Sequence, residues 1–329
     1  MKNIFITRPI PGDCIDILKE KGYDVTVGKN KIPPTQEEVI EEIKKKKYDA
    51  VITLLTDKID SKVFDASPAT KLFANYTVGY DNIDLTEATK RGVTVTNTAG
   101  DYSDSVAQHT IALILALMGR LVEADTFVRK NKYKGWDPML FIGDKLKGKT
   151  IAIIGTGRIG ELVARKLHNG FDAKIIYYDV KRNERIEKDC NAKFVNSVDE
   201  ALSLADVVSL HVPLLSSTHH LVNKENLKKM KPSAYLINTS RGAVIDEEAL
   251  VYALEHKIIQ GAGLDVYEYE PKLAPGLVKL SNIVLTPHIA SAQMEAREEM
   301  SKIVAENVVD FFEGKTPRNK VNPDVKALG

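Results

Sequence analysis

The 329-residue chain is poor in cysteine, with only Cys14 and Cys190. Two thiols make a disulfide framework unexpected and fit a reducing compartment. The chain also lacks a charge bias: 46 Lys and Arg stand against 45 Asp and Glu. No overall field therefore draws it to nucleic acid or to an anionic membrane surface. Long hydrophobic runs are missing too. The longest, Ile111 to Met118, falls far short of the roughly 20 residues that span a bilayer. The strand pattern at Asn3–Ile6 has no apolar leader or small-residue cleavage site before it, so a signal peptide is not expected. The histidines show no metal-ligand spacing with cysteine or acid clusters, and His219-His220 reads as a loop pair, so no metal is expected. No internal repeat or low-complexity segment occurs. What remains is a soluble, cytoplasmic protein, long enough for two domains with a core each.

The stretch that is rich in signal runs from Lys149 to Asp179. Ile151 to Ile154 is a continuous apolar run, as in a strand buried on both faces of a parallel sheet. Gly155-Thr-Gly157-Arg-Ile-Gly160 follows, then an amphipathic segment with Ile159, Leu162, Val163, Ala164 and Leu167 at helical spacing. A second apolar run, Lys174 to Tyr178, stops at Asp179, 19 residues past Gly160. Dinucleotide binding asks for each piece. The first glycine permits a tight turn, the second admits a pyrophosphate, and the third lets helix pack on strand. The helix N-terminus offers N–H groups to the anion, and an acid after the second strand can take ribose hydroxyls. A lone GxGxxG is weak, but here strand, turn, helix, strand and acid arrive in order.

On either side the chain alternates strands and helices, which predicts parallel sheets covered by helices. Before the motif, strands are expected at Asn3–Ile6, Asp24–Val27, Asp49–Thr53, Lys71–Asn75 and Val93–Thr96. Thr35–Lys45 is a helix with Thr35 and Glu38 as a capping box. Asn97 to Tyr102 looks like a hinge. The helix after it, Ser103 to about Gly119, is apolar almost all round, a pattern usual for burial between domains or subunits. His109 within it reads as a packed, satisfied residue. Asn131 to Gly148 is a long loop holding the only tryptophan, Trp136. After the motif, strands are expected near Asp206–Val212, Ala234–Asn238, Gly261–Val266 and Ile283–Leu285, and a closing helix at about Ala292 to Phe312.

Arg241, Glu270 and His288 each stand just past a strand of this second series. Strand ends of a parallel sheet share one edge, so the three can converge. Arg241 can hold a carboxylate through a two-pronged pair. His288 can exchange a proton with a hydroxyl oxygen near neutrality, and Glu270 can support its imidazole. Taken singly, each also has a plainer reading: a surface cation, a loop end before Pro271, and one of seven histidines.

The neighbouring words add to this. Asn238-Thr-Ser-Arg-Gly-Ala-Val-Ile-Asp246, Gly263-Leu-Asp-Val-Tyr-Glu-Tyr-Glu-Pro271 and Thr286-Pro-His-Ile-Ala290 resemble the signatures of the D-isomer-specific 2-hydroxyacid dehydrogenases. So do Thr77-Val-Gly-Tyr-Asp81, the Gly155–Gly160 turn and Val212-Pro213, and the likeness spans essentially the whole chain. Within that family it is most similar to glyoxylate/hydroxypyruvate reductases. The resemblance implies an α/β fold of two Rossmann-like parallel-sheet domains. The NAD-binding domain, 99–290, is inserted into a flavodoxin-like substrate domain, 1–98 plus 291–329, with the active site in the cleft between them. It implies NAD(P)H-dependent reduction of a small 2-oxo acid, with His288 as the proton donor, Glu270 as its partner and Arg241 on the substrate carboxylate and carbonyl oxygen. Leu55 and the backbone N–H groups of Val78 and Gly79 complete the substrate contacts. Thr156, Gly157, Arg158 and Ile159 would wrap the pyrophosphate, with Asp179 on the ribose. Val212, Pro213 and Thr218 would flank the adenosine half. Thr239, Ser240, Arg241, Asp265, His288 and Ala290 would lie at the nicotinamide end. A homodimer through the first long helix is also implied.

Asp179 would face the 2′-phosphate of NADP, so NAD is the expected cofactor, although Lys181 and Arg182 lie close. Two enzyme alternatives stay open, a D-lactate and a short D-3-phosphoglycerate dehydrogenase. Substrate size depends on side chains around Leu54, Leu55, Tyr76 and the Trp136 loop. Formate dehydrogenase is disfavoured because that branch carries glutamine where Glu270 stands. An NAD-sensing corepressor-like binding protein is the alternative of another class.

Overall fold

Strand–helix alternation in the first hundred residues becomes a parallel sheet. A computed structural model describes residues 1–30, 32–100 and 102–325. It divides into two units, Met1–Tyr102 with the chain from Gln293 onward, and Ser103–Ala292. Asp101, inside the expected hinge, and Lys31 and 326–329, inside the expected substrate domain, lie outside the described residues.

The first unit runs β1 (Asn3–Ile6), α1 (Cys14–Glu20), β2 (Asp24–Val27), α2 (Gln36–Lys44), β3 (Ala50–Thr53), α3 (Ser61–Ala66), β4 (Leu72–Asn75), α4 (Leu85–Lys90) and β5 (Thr94–Thr96). Its strands pair in parallel in the order β2-β1-β3-β4-β5, the flavodoxin-like winding. Every residue of β3 and β4 is buried, which explains their lack of polar alternation. α2 starts with the expected reciprocal cap. The Thr35 hydroxyl accepts the Glu38 N–H, and the Glu38 carboxylate accepts the Thr35 N–H. Such a cap contributes about 1 kcal/mol.

The second unit runs α5 (Ser103–Met118), α6 (Leu121–Arg129), β6 (Thr150–Ile154), α7 (Arg158–Phe171), β7 (Lys174–Tyr178), α8 (Glu184–Cys190), β8 (Lys193–Phe194), α9 (Val198–Leu204), β9 (Val207–Leu210), α10 (Lys224–Leu227), β10 (Tyr235–Asn238), α11 (Glu247–Glu255), β11 (Gly261–Leu264) and β12 (Ile283–Leu285). Its parallel sheet has the order β12-β11-β10-β9-β6-β7-β8. The winding reverses between β6 and β9, which opens a crevice at the carboxyl ends of those strands. Apolar clusters cover both faces of the sheet, one with Ile154, Leu210 and Leu236, the other with Ile153, Val207 and Ile237.

The apolar helix α5 is buried within this unit, against α7 and strands β10 to β12. Its own sheet and α7 take its buried face. Apolar side chains are instead left exposed on α6 and the following loop, where Leu121, Val128, Trp136 and Met139 face outward and α6 buries none of its residues.

The chain then returns to the first unit as α12 (Met294–Phe312). Ala296, Met300, Val304 and Val308 join Ile4 and Leu72 in one core. Asn322 fastens the returning chain to the edge strand, accepting the Val95 N–H at 2.9 Å and donating to the Val93 carbonyl at 2.8 Å. Among the described residues no helix is long and apolar enough to cross a membrane.

Candidate active site

At the crevice of the second unit, β6 runs into Gly155. Its φ is +90°, and a side-chain carbon there would lie 2.7 Å from the His211 carbonyl oxygen at the end of β9. At Gly160 such a carbon would lie 2.1 Å from the Gly155 carbonyl oxygen. Only glycine lets turn, helix and neighbouring strand approach this closely. A substituent at Gly157 would meet nothing within 4 Å, so the mouth of the turn is open. α7 begins at the next residue with no side-chain cap, which leaves first-turn N–H groups and the positive end of the helix dipole for an anion.

Asp179, just past β7, accepts the Thr156 N–H at 2.6 Å and the Thr156 hydroxyl at 3.0 Å. Both Thr156 donors are spent there, so Gly157, Arg158 and Ile159 are left at the mouth. Arg182 is held by Glu187 at 2.9 Å and lies over the Phe194 ring, 5.4 Å from its centroid. Across the crevice, Val212 and Pro213 follow β9, and the Thr218 hydroxyl donates to the Pro213 carbonyl at 2.6 Å while accepting the Leu215 N–H at 2.8 Å. An open glycine turn, an uncapped helix and an acid at the second strand end fit a dinucleotide.

A second constellation stands at the ends of β10, β11 and β12. Asp265 is fully buried. Its carboxylate accepts the Thr286 hydroxyl at 2.6 Å and the N–H groups of Ile289 and Ala290 at 2.9 and 2.8 Å, with His109 Nε2 at 3.4 Å. Burial by itself pushes this carboxyl up, but bonds from His109 and Thr286, then Ile289 and Ala290, outweigh it and hold it below the usual carboxylate range. The segment 286–290 is thereby wrapped around one buried anion, and His288 stands on it with φ 54° and its N–H on the Asp265 carbonyl at 2.9 Å. His288 Nδ1 meets Glu270 Oε2 at 2.9 Å, and Glu270 Oε1 accepts the Tyr267 N–H at 3.0 Å. With Nδ1 engaged, Nε2 is the nitrogen left for a reacting group.

Arg241 follows β10, and its Nη1 donates to the Ser240 carbonyl at 2.7 Å. A carbon on the next residue, Gly242, would lie 1.9 Å from the Tyr267 carbonyl carbon. The Arg241 turn is therefore pressed onto the segment that carries Glu270. The Thr239 hydroxyl meets that of Thr110 at 2.8 Å, and the Ser240 hydroxyl donates to Asn238 Oδ1 at 2.8 Å.

The supporting roles of three residues escaped the sequence reading. His109, taken as a packed and satisfied residue, is satisfied by Thr286 at 3.1 Å and thus reaches the His288 loop. Asn238 ties the Arg241 turn through its amide, and the Tyr267 hydroxyl donates to the Thr286 carbonyl at 2.9 Å. A histidine in an otherwise apolar helix and an asparagine ending a buried strand were the available signals.

In the first unit, Leu55 lies in the turn after β3, and Val78 and Gly79 lie in the loop after β4. Asn97 donates to the Val78 carbonyl at 2.7 Å and Asn75 to the Gly79 carbonyl at 2.9 Å. Among the described residues, no hydrogen bond takes the N–H of Val78 or Gly79. The two carbonyls of this loop are thus pinned by asparagine side chains.

Comparison with known proteins identifies the family. Residues 111–290 match the family model described as D-isomer specific 2-hydroxyacid dehydrogenase, NAD binding domain. The chain is 47% identical over 326 residues to a glyoxylate reductase of Thermococcus litoralis, covering 98% of this chain and 97% of that one. A solved protein of Thermus thermophilus superposes with a TM-score of 0.90 at 38% identity, over 97% of this chain and 99% of that one. An NADPH-dependent glyoxylate/hydroxypyruvate reductase of Sinorhizobium meliloti superposes with a TM-score of 0.85 at 29% identity, over 99% of both chains.

Proposed function

Since the chain belongs to the D-isomer specific 2-hydroxyacid dehydrogenase family and is an oxidoreductase, we propose that it reduces glyoxylate, and hydroxypyruvate beside it, with NADH. The observation that carries this reading is the His288 Nδ1–Glu270 Oε2 contact of 2.9 Å, which fixes the ring and leaves Nε2 to deliver a proton. The nicotinamide, when bound, supplies the hydride. Arg241 takes the substrate carboxylate, and Leu55, Val78 and Gly79 are the substrate contacts proposed in the first unit, the last two through their N–H groups. His288 Nε2 protonates the carbonyl oxygen as it becomes a hydroxyl. Glu270 holds the ring and its tautomer during that transfer.

Gly157, Arg158 and Ile159 hold the pyrophosphate, and Asp179, steadied by Thr156, takes the ribose. Val212 and Pro213, clasped by Thr218, flank the adenosine half. Thr239, Ser240 and Ala290 border the nicotinamide end, and Asp265 acts there through the loop it holds. A 2′-phosphate beside Asp179 costs about 1–3 kcal/mol per charge pair at intermediate dielectric. Arg182 is already paired with Glu187. NAD is therefore the favoured cofactor. The exposed apolar side chains of α6 and the Trp136 loop support a homodimer, and two buried free thiols are in keeping with the cytoplasm.

The test is oxidation of NADH, and separately NADPH, with glyoxylate, hydroxypyruvate and pyruvate. Turnover of the first two with NADH, lost in His288→Ala, is the expected outcome. NADPH preference would overturn the role given to Asp179, and pyruvate preference would make the protein a D-lactate dehydrogenase. Dinucleotide binding without turnover of any 2-oxo acid would point to a sensor.

A further inference from the structure

The segment that carries Glu270 presents a second acid, Glu268, to another histidine. His220 Nε2 lies 2.8 Å from Glu268 Oε1. The His219 ring stacks on that of His220, with centroids 4.0 Å apart and planes at 28°. One nitrogen from each histidine and one Glu268 oxygen all lie within 4.8 Å of one another. We propose that His219, His220 and Glu268 form a binding site for a divalent transition-metal ion of the Zn²⁺ class, separate from the His288–Glu270 pair.

Two imidazoles and a carboxylate form a donor set that suits Zn²⁺, Co²⁺ or Ni²⁺, with water in a fourth position. Metal–ligand bonds of about 2.0–2.2 Å in a tetrahedron put neighbouring ligand atoms roughly 3.3–3.5 Å apart. The His220–Glu268 contact would therefore open by about half an ångström, and the exposed His219 ring would move in. The ion takes the place of the hydrogen between His220 Nε2 and Glu268 Oε1, and the neutral His220 ring then carries its hydrogen on Nδ1.

The frame of the site is fixed. His220 has φ 49°, and its N–H donates to the Ala243 carbonyl at 2.8 Å. The Glu268 side chain is only 7% exposed, and its other oxygen accepts the Glu247 N–H at 3.4 Å. Glu247 is itself buried, and neither of its carboxylate oxygens has a hydrogen-bond partner. A bound ion would clamp the loop of His219 and His220 onto the segment 267–270. Glu268 is 48 residues from His220 in sequence, so no short ligand motif announces the site.

The probe is Zn²⁺ alone, titrated calorimetrically into the full chain after chelator treatment, with Co²⁺ absorption as the spectroscopic readout. One equivalent should bind with tetrahedral Co²⁺ bands. His219→Ala, which removes an exposed ring and leaves the core untouched, should weaken binding by more than about tenfold. Glu268→Gln should do the same, and His288→Ala should leave binding unchanged. Zn²⁺ should raise Tm in the wild type and in His288→Ala but not in His219→Ala. Absence of stoichiometric binding, unchanged binding in His219→Ala or Glu268→Gln, or loss confined to His288→Ala would each overturn the proposal.

Discussion

One short segment carries two histidine–carboxylate pairs that differ in which nitrogen meets the acid. Glu270 engages Nδ1 of His288 at 2.9 Å, and Glu268 engages Nε2 of His220 at 2.8 Å. Engaging Nδ1 leaves the outer nitrogen for a substrate oxygen. Engaging Nε2 occupies the outer nitrogen of His220. The supports differ as well. Glu268 is nearly buried, whereas Glu270 and His288 are each about a third open to solvent. Proximity of an imidazole to a carboxylate therefore does not by itself identify an acid catalyst; which nitrogen is engaged also matters. On the proposed reading the first pair transfers a proton and the second holds one, or a metal ion.

The variants that separate the pairs follow in order of expected effect. His288→Ala removes the proposed proton donor and should lower kcat for glyoxylate by about 10²–10⁴-fold, read from steady-state NADH oxidation. Glu270→Gln keeps the ring in place but weakens a charge-assisted bond of about 1.5–3 kcal/mol, so kcat should fall by about 10- to 100-fold. An unchanged Kd for NADH, read by fluorescence, would show that the loss is in the chemical step.

Asp265→Asn loosens the loop under His288 and should cost about 1–3 kcal/mol of stability, or about 2–4 °C in Tm per kcal/mol. Its carboxyl is held below the usual range in the fold. The unfolded chain therefore binds the proton first, and the stabilisation is complete above the ordinary carboxylate pKa. It is lost as pH falls through the folded value. The Tm gap between wild type and Asp265→Asn should accordingly be full at neutral pH and close below about pH 4. A gap that widens in acid would contradict the assignment. Smallest of all, His220→Ala without added metal should leave kcat within about twofold, since its ring touches no reacting atom, while costing about 1 kcal/mol in chemical denaturation.

Much of the fold was readable because parallel strands buried on both faces keep continuous apolar runs, as in Ile151–Ile154 and Tyr235–Asn238. The glycine turn was readable because close approach at Gly155 and Gly160 admits no side chain. The short helices α3, α8 and α10 were not foreseen. α8 buries only Ile186 and Cys190, too few positions to establish a period. At the site, Arg241, Glu270 and His288 were marked by their places after strands. Their supports were hidden by distance along the chain, since His109 and Thr286 are 177 residues apart. Spacing likewise gave no warning that Glu268 joins His220. Nor could sequence show that Thr156 spends both its donors on Asp179, because that depends on how the strand end and the turn face each other.

The most direct test is a side-by-side measurement of glyoxylate-dependent NADH oxidation by His288→Ala and His220→Ala. The account predicts a loss of at least about a hundredfold in the first and wild-type turnover in the second. Equal losses in both, or activity retained in His288→Ala, would contradict the claim that the free Nε2 of His288 delivers the proton.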